Sequence, residues 1–391
     1  MARAAEAPFV LLVESHVDPS QERALLFAEP QRVLACREPS QVAACLREAD
    51  AALRGGAYVA GLLAYEAGYG LHPKLAGLWR AAPTEHLVWL GVFADVRELR
   101  GSSVSALLRA TAGDAHARVS ELRFDGERAA HGRDFERIQA YLAAGDSYQV
   151  CQSLRARARV DGAPARLFER LRSRQRTPYS ALIETGDYSI LSLSPELFFR
   201  KRGEHVWLEP MKGTAPASAD PAENAKRVRA MKDDPKTRAE NVMIVDLLRN
   251  DIGRLARPGR VTVPELFAVE RFDEVLQMTS TIAAEIEPAL GLHDLMRALF
   301  PSGSVTGAPK LRTMEIIAEL EQAPRGIFCG SIGYAAPNGD ACFNVAIRSL
   351  CVAPDGQAVL GVGSGVVVDS DSDAEYAECL LKAQFLAGLS D

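Results

Sequence analysis

The sequence predicts an α+β fold. From about Pro178 short apolar strands follow one another, separated by turn residues, and helices come only afterwards. Such blocks argue against a regular strand–helix alternation. Amphipathic stretches with recognisable capping residues supply the helices. In chain order, the first ~120 residues mix strands at 9–13 and 58–63 with alanine-rich helices and glycine turns. A helix over 133–144 closes at Gly145-Asp146, and a strand opens at Tyr148. Strands are expected at 180–184, 190–193, 197–200 and 206–208. Residues 234–251 read as one helix, with Asp234 as N-cap and Pro235 in its first position. Residues 341–350 read as a strand, a glycine-rich strand begins at Gly361, and a last helix runs from near Asp373 to Gly388.

Bulk properties exclude several classes. A hydrophobic content of 48% and a charged content of 25% are ordinary for a globular protein. The net charge of −6 leaves no basic footprint, so nucleic acid is not an expected partner. The longest apolar runs, such as residues 87–94, are strand-sized and fall short of the ~18 residues of a membrane span, so no membrane association is expected. Seven cysteines, odd in number and without a C-x-x-C pair, suit a reducing compartment, and a cytoplasmic protein is expected. None occupies a G-x-C-x-G elbow. His293 is the only histidine past residue 205, so chemistry in the C-terminal half has to rest on carboxylates, lysine, arginine and backbone amides.

A few residues sit awkwardly in their surroundings. Lys212, in Glu209-Pro-Met-Lys-Gly-Thr214, ends an apolar strand and on residue statistics would be a solvated charge. On a helical wheel Glu240 lies mid-stripe among Met243, Ile244 and Leu247, which is costly for a carboxylate unless it is paired or metal-bound. The segment Asp369-Ser-Asp-Ser-Asp-Ala-Glu375 starts like a calcium loop, but Ala374 replaces the required glycine and Leu380 the closing glutamate. Ser372 and Glu375 read better as a capping box, with Glu375, Glu378 and Lys382 on one helix face. Two glutamates from separate helices suit Mg²⁺ shared with an anionic substrate; a salt-bridged core glutamate and a solvated charged face remain the alternatives. Gly363 and Gly365 do not fit a dinucleotide loop, yet they permit close backbone approach to a ligand. Ser304 and Thr306 precede a helix starting near Pro309, an anion-facing geometry. In the 341–350 strand, alternation places Arg348 over the small residues Cys342 and Ala346, suited to bidentate carboxylate binding.

Read in order, these segments resemble a known family. They are Ser192-Leu-Ser-Pro-Glu-Leu-Phe198, Glu209 to Thr214, Arg238 to Gly253, Gly303-Ser-Val-Thr-Gly-Ala-Pro-Lys310, Cys329-Gly-Ser-Ile-Gly-Tyr334, Ala346-Ile-Arg348 and Gly363 to Lys382. The array resembles the chorismate-utilising enzymes: anthranilate synthase component I, aminodeoxychorismate synthase component I, and isochorismate and salicylate synthases. The likeness runs over residues 133–388 and is looser over the first part of the chain. It implies a large antiparallel β-sandwich core flanked by helices. Residues 1–120 would form its N-terminal part, a tryptophan-pocket or partner region; Leu11-Leu-Val-Glu-Ser15 sits where some members have a segment lining a tryptophan pocket. Residues 121–391 would form the chorismate-binding catalytic region, the two intertwined in one domain.

The resemblance also implies roles. Mg²⁺ would be held by Glu240 and Glu378, with Glu375 close by or acting through water. The chorismate carboxylates would meet Arg348, Lys382 and the backbone around Gly213, Thr214, Gly363 and Gly365, with Ser304 lining the pocket. Lysine at position 212, where anthranilate synthases have alanine, is typical of the aminodeoxychorismate synthases. There it would add to ring carbon 2 as the 4-hydroxyl leaves, so it must be partly neutral. Glu196 would be the acid/base for that hydroxyl. Many relatives have histidine in place of Gln277, a residue linked to pyruvate elimination, so glutamine fits retention of the enolpyruvyl group. Ammonia is expected from a separate glutamine amidotransferase subunit, and the product expected is 4-amino-4-deoxychorismate, a precursor of 4-aminobenzoate and folate. Anthranilate synthase component I, or a chorismate- or tryptophan-binding homologue without turnover, are the alternatives.

Overall fold

The strand Val88–Phe93 is buried along its whole length, which accounts for its unbroken apolar sequence. Val88, Leu90 and Val92 pack on one side with Val42 and Leu46 of the helix Pro39–Arg54 and with Met314 and Ile317 of the helix Lys310–Leu320. Trp89 and Phe93 point the other way, into a layer shared with Val10, Phe27, Ala181 and Ile183. That alternation sets the architecture: two sheets face one another, and each carries helices on its outer side.

The structure, a computed structural model, describes residues 7–15, 21–80, 85–113, 115–272, 275–387 and 389. Gly388, expected to close the last helix, lies outside them. The first sheet has ten strands and the second ten, and the pairings are antiparallel, as in Val10 with Phe27 and Leu62 with Trp89. Both sheets take strands from before and after residue 120. On the outer face of the first sheet, Leu11, Leu182 and Leu191 meet Leu108, Phe168 and Cys379 from three helices. The fold is the α+β sandwich that the sequence predicts. Among the described residues no helix is long and apolar enough to cross a membrane. All seven cysteines are free thiols.

The chain passes between sheets at two adjacent points. Strand Ser189–Ser194 belongs to the first sheet and Leu197–Arg202 to the second, with Pro195-Glu196 between them. Strand Ala341–Ala346 belongs to the second and Ser349–Val352 to the first, with Ile347-Arg348 between them. The two crossovers are tied together: Val345 N donates to Glu196 O at 3.0 Å, Leu193 N to Arg348 O at 3.0 Å, and Ser194 Oγ to Val345 O at 2.6 Å. This corrects the single 341–350 strand. Arg348 has φ of 52°, in the left-handed region, so the period-two argument breaks before it. Cys342, its expected neighbour, lines a different cavity.

Two helix details also change. Asp234 does cap the helix Pro235–Gly253, accepting from Thr237 N at 2.7 Å. The buried stripe of that helix, however, is Asn241, Ile244, Val245 and Leu248, so Glu240 is half-buried at its edge rather than central. The last helix, Ser372–Ala383, is capped by Asp371, which accepts from Asp373 N and Ala374 N. Glu375 takes no part in a capping box; its Oε1 accepts from Ser370 Oγ at 2.7 Å.

Candidate active site

Where the sheets part, beside the two crossovers, a cavity of about 200 Å³ opens. Glu196, Lys212, Gly213, Thr214, Ser304, Arg348, Gly363, Gly365, Glu378 and Lys382 all line it, so the structure gathers most of the expected site residues in one place. Glu240 and Glu375 lie outside this lining, yet Glu375 and Glu378 both act electrostatically on Glu240. Thr306 turns away: fully buried, it donates to Ser302 O at 2.8 Å.

Glu196 is 4% exposed. Its Oε1 accepts from Ser304 Oγ at 2.6 Å, and the Met211 amide also donates to it. Burial pushes its carboxyl up to about 7, against the lowering effects of Ser304, the Lys212 charge, the Met211 amide and the Lys382 charge. A carboxyl poised near neutral pH can give and take a proton.

Lys212 leaves its strand, Met211–Pro216, at a β-bulge. Met211 pairs with Thr279 and Thr214 with Gln277, so Lys212 and Gly213 together oppose the single residue Met278. Gly213 has φ of 94°, and a Cβ there would stand 2.5 Å from Thr237 Cγ2, so both backbone and packing demand glycine. A Cβ on Gly365 would lie 2.8 Å from Lys212 Nζ. The missing side chain of Gly365 is thus the room in which the lysine ammonium sits.

Arg348 is half-buried, and burial alone holds its guanidinium below the usual range. Among the described residues no carboxylate shifts its pKa back up, so burial is not offset by a nearby negative charge. Lys382 Nζ lies 2.6 Å from Glu378 Oε1 and donates to Gly363 O at 2.6 Å. The strand Gln357–Val366 is paired with 349–352 only as far as Leu360, so Gly361 to Gly365 keep one ladder edge toward the cavity.

The carboxylate donors suit a hard cation. Burial raises the Glu240 pKa, Lys212 and Lys236 pull it down, and Glu375 and Glu378 push it up again. Acidic groups acting on one another in this way are relieved by a divalent ion with oxygen ligands. Among the described residues no three His, Cys, Asp or Glu side chains are grouped closely enough to hold an ion between them. An ion here would draw its remaining ligands from water or a bound anion.

Sequence reasoning missed Gln149. Its side chain is fully buried, its amide has no protein partner, and its Cδ would lie 3.3 Å from a Cβ on Gly365. A buried orphan amide beside Lys212 is a position for ligand or water. Nothing in the sequence around Tyr148 signalled it beyond its place at the start of a strand. The expected N-terminal segment lies elsewhere: Val13 and Glu14 border a separate cavity of about 320 Å³ with Tyr179, Arg200 and Tyr334.

A family model described as chorismate binding enzyme matches residues 13–388. The chain belongs to the chorismate binding enzyme family. Aminodeoxychorismate synthase component 1 of Salmonella typhimurium is 47% identical over 251 residues, which span 64% of this chain and 55% of that protein. The protein of the same name from Escherichia coli is 45% identical over 260 residues, 66% of this chain and 57% of that protein. Anthranilate synthase component 1 of Streptomyces coelicolor is 39% identical over 269 residues, 68% of this chain and 51% of that protein. The matched part thus spans little more than half the length of these relatives. Solved structures share the fold. Anthranilate synthase component I from Streptococcus pneumoniae superposes with a TM-score of 0.80 at 23% identity, covering 95% of this chain and 93% of that one. MenF, the menaquinone-specific isochorismate synthase of Escherichia coli, gives 0.73 at 17% identity, covering 100% and 90%.

Proposed function

We propose that this family member is the chorismate-aminating component of an aminodeoxychorismate synthase, taking ammonia from a glutamine amidotransferase partner and forming 4-amino-4-deoxychorismate. The observation that carries the reading is Lys212, presented on a bulge into a cavity that also holds a buried carboxyl poised near neutrality. The names of the relatives at 45–47% identity support it.

Arg348 and Lys382 hold the chorismate carboxylates, helped by backbone at Gly213, Thr214, Gly363 and Gly365. Lys212 Nζ adds to ring carbon 2, both ring double bonds shift (carbons 1–2 to 6–1, carbons 5–6 to 4–5), and the carbon 4–oxygen bond breaks. Protonated Glu196 gives its proton to the departing oxygen, which leaves as water. Ammonia then adds at carbon 4, both double bonds return to their original places, and the carbon 2–nitrogen bond breaks to release Lys212. Glu196 recovers a proton from the nitrogen nucleophile, so the cycle closes. Glu240 and Glu378 would hold Mg²⁺, with Glu375 nearby. When bound, the ion neutralises a ring carboxylate and, as a Lewis acid, favours loss of the hydroxyl.

Incubating the protein with chorismate, Mg²⁺ and ammonium, with product identification by mass spectrometry, tests the reading. The 4-aminated product with its enolpyruvyl group intact is expected. Anthranilate and pyruvate as main products would replace this assignment with anthranilate synthase component 1, the name carried by the relative at 39% identity.

A further inference from the structure

We infer that Gln277 is a positioning residue that fixes the direction in which Lys212 leaves its strand; the inference rests on the reading of Lys212 as nucleophile. The bulge sets two residues of the lysine strand against one of the strand Val275–Ile286. A bulge of this kind disrupts the local ladder and leaves the extra residue without a backbone partner to hold it. Gln277 closes it with both ends of one amide. Nε2 donates to Gly213 O at 3.0 Å, and Oε1 accepts from Thr214 Oγ1 at 3.0 Å. Because the Gly213 carbonyl can only accept, the orientation of the amide is determined.

The clamp grips the two residues that follow Lys212, and Gln277 itself lines the cavity. Gly213 contributes no side chain and sits at positive φ, so its own backbone offers little resistance to rotation. The strand Val275–Ile286 is flanked by pairings on both sides, Glu270 with Gln277 and Thr214 with Gln277, which makes it a firm base. Glutamine is suited to the task, since it presents a donor and an acceptor in one plane at the end of a flexible stem. A leucine would fill the space and hold neither group. A glutamate would keep the Thr214 bond and oppose its negative charge to the Gly213 carbonyl.

The test compares Gln277→Leu and Thr214→Val with the unaltered chain. Gln277→Leu should lower kcat for amination at carbon 4 by about 10- to 100-fold, as expected for a misplaced reacting group, with the chorismate KM nearly unchanged. Thr214→Val, which removes one of the two bonds at an exposed site, should give a smaller loss. Independently of turnover, hydrogen exchange at the amides of residues 212–214 should quicken in Gln277→Leu. Unchanged exchange there, or kcat and KM changing together, would overturn the inference. If Gln277→Leu does not fold, unchanged kcat and exchange in Thr214→Val would overturn it instead. Full carbon 4 turnover in Lys212→Ala would defeat the functional reading alone, because the exchange measurement does not depend on it.

Discussion

Lys212 and Lys310 both stand in the motif segments of the sequence, and their surroundings could hardly differ more. Lys310 is 5% exposed; its ammonium lies 2.6 Å from Asp251, which is 1% exposed, and it also donates to the Leu299 carbonyl. Burial lowers its pKa and the Asp251 charge acts against that, so the charge is fully spoken for within the protein. Lys212 instead projects into open space, where its charge is felt by Glu196 and Glu240. The contrast separates a lysine that ties the helix Pro235–Gly253 to the helix Lys310–Leu320 from one left for a ligand. A buried charge that the fold has neutralised is architecture, and one it has left exposed to a cavity is chemistry.

The sharpest way to break this contrast is to remove each lysine and read stability. Lys310→Ala should destabilise the protein by about 2–3 kcal/mol in chemical unfolding, because the buried Asp251 loses one of its two cationic partners and keeps only Arg254, 2.6 Å away. Lys212→Ala should leave the unfolding midpoint unmoved. Equal losses would erase the distinction.

Glu196→Gln comes next, with kcat expected to fall by roughly 10²- to 10⁴-fold, the usual contribution of an acid/base group. In the unaltered chain the folded-state pKa of Glu196 is raised, so its protonated form prevails below about 7 and kcat should decline as pH rises through that value. The stability sign follows from the same shift. The folded state binds the proton more tightly than the unfolded chain, so this group's stabilising effect is full below the ordinary carboxyl pKa and is lost as pH rises toward 7. Glu196→Gln should therefore gain stability relative to the parent as pH rises from 5 to 8, read by thermal unfolding on the order of 1.4 kcal/mol per pKa unit. A pH profile unchanged by the substitution would assign the titration to another group.

Arg348→Met should raise the chorismate KM by about 10- to 100-fold, the loss of a charge-assisted bond worth ~1.5–3 kcal/mol. The smallest effect is expected from Gly365→Ala. The flexible end of Lys212 can yield to the added methyl, so kcat should drop several-fold while the fold holds.

The fold and much of the site were legible in the sequence because the informative residues occur in local patterns. Asp234-Pro235 announced its helix through capping chemistry that depends on neighbours in the chain. Lys212, Glu196 and Ser304 were placed by the resemblance, and three separate segments do bring them to one cavity. What depended on contacts between distant segments was not legible. The Arg348 strand broke because the chain changes sheets there, a tertiary event that alternation cannot register. The Asp251–Lys310 tie joins residues within two recognised motifs, yet nothing local says that they meet. The bulge that aims Lys212 exists only in the pairing of two strands more than fifty residues apart, as does the Gln277 bond to Gly213, 64 residues away along the chain.

The most direct measurement follows the products of Lys212→Ala beside those of the unaltered chain, given chorismate, Mg²⁺ and ammonium and analysed by mass spectrometry. The account predicts 4-amino-4-deoxychorismate from the parent and a sharp loss of amination at carbon 4 in the variant, with slow amination at carbon 2 in its place. Undiminished formation of the 4-aminated product by Lys212→Ala would contradict it.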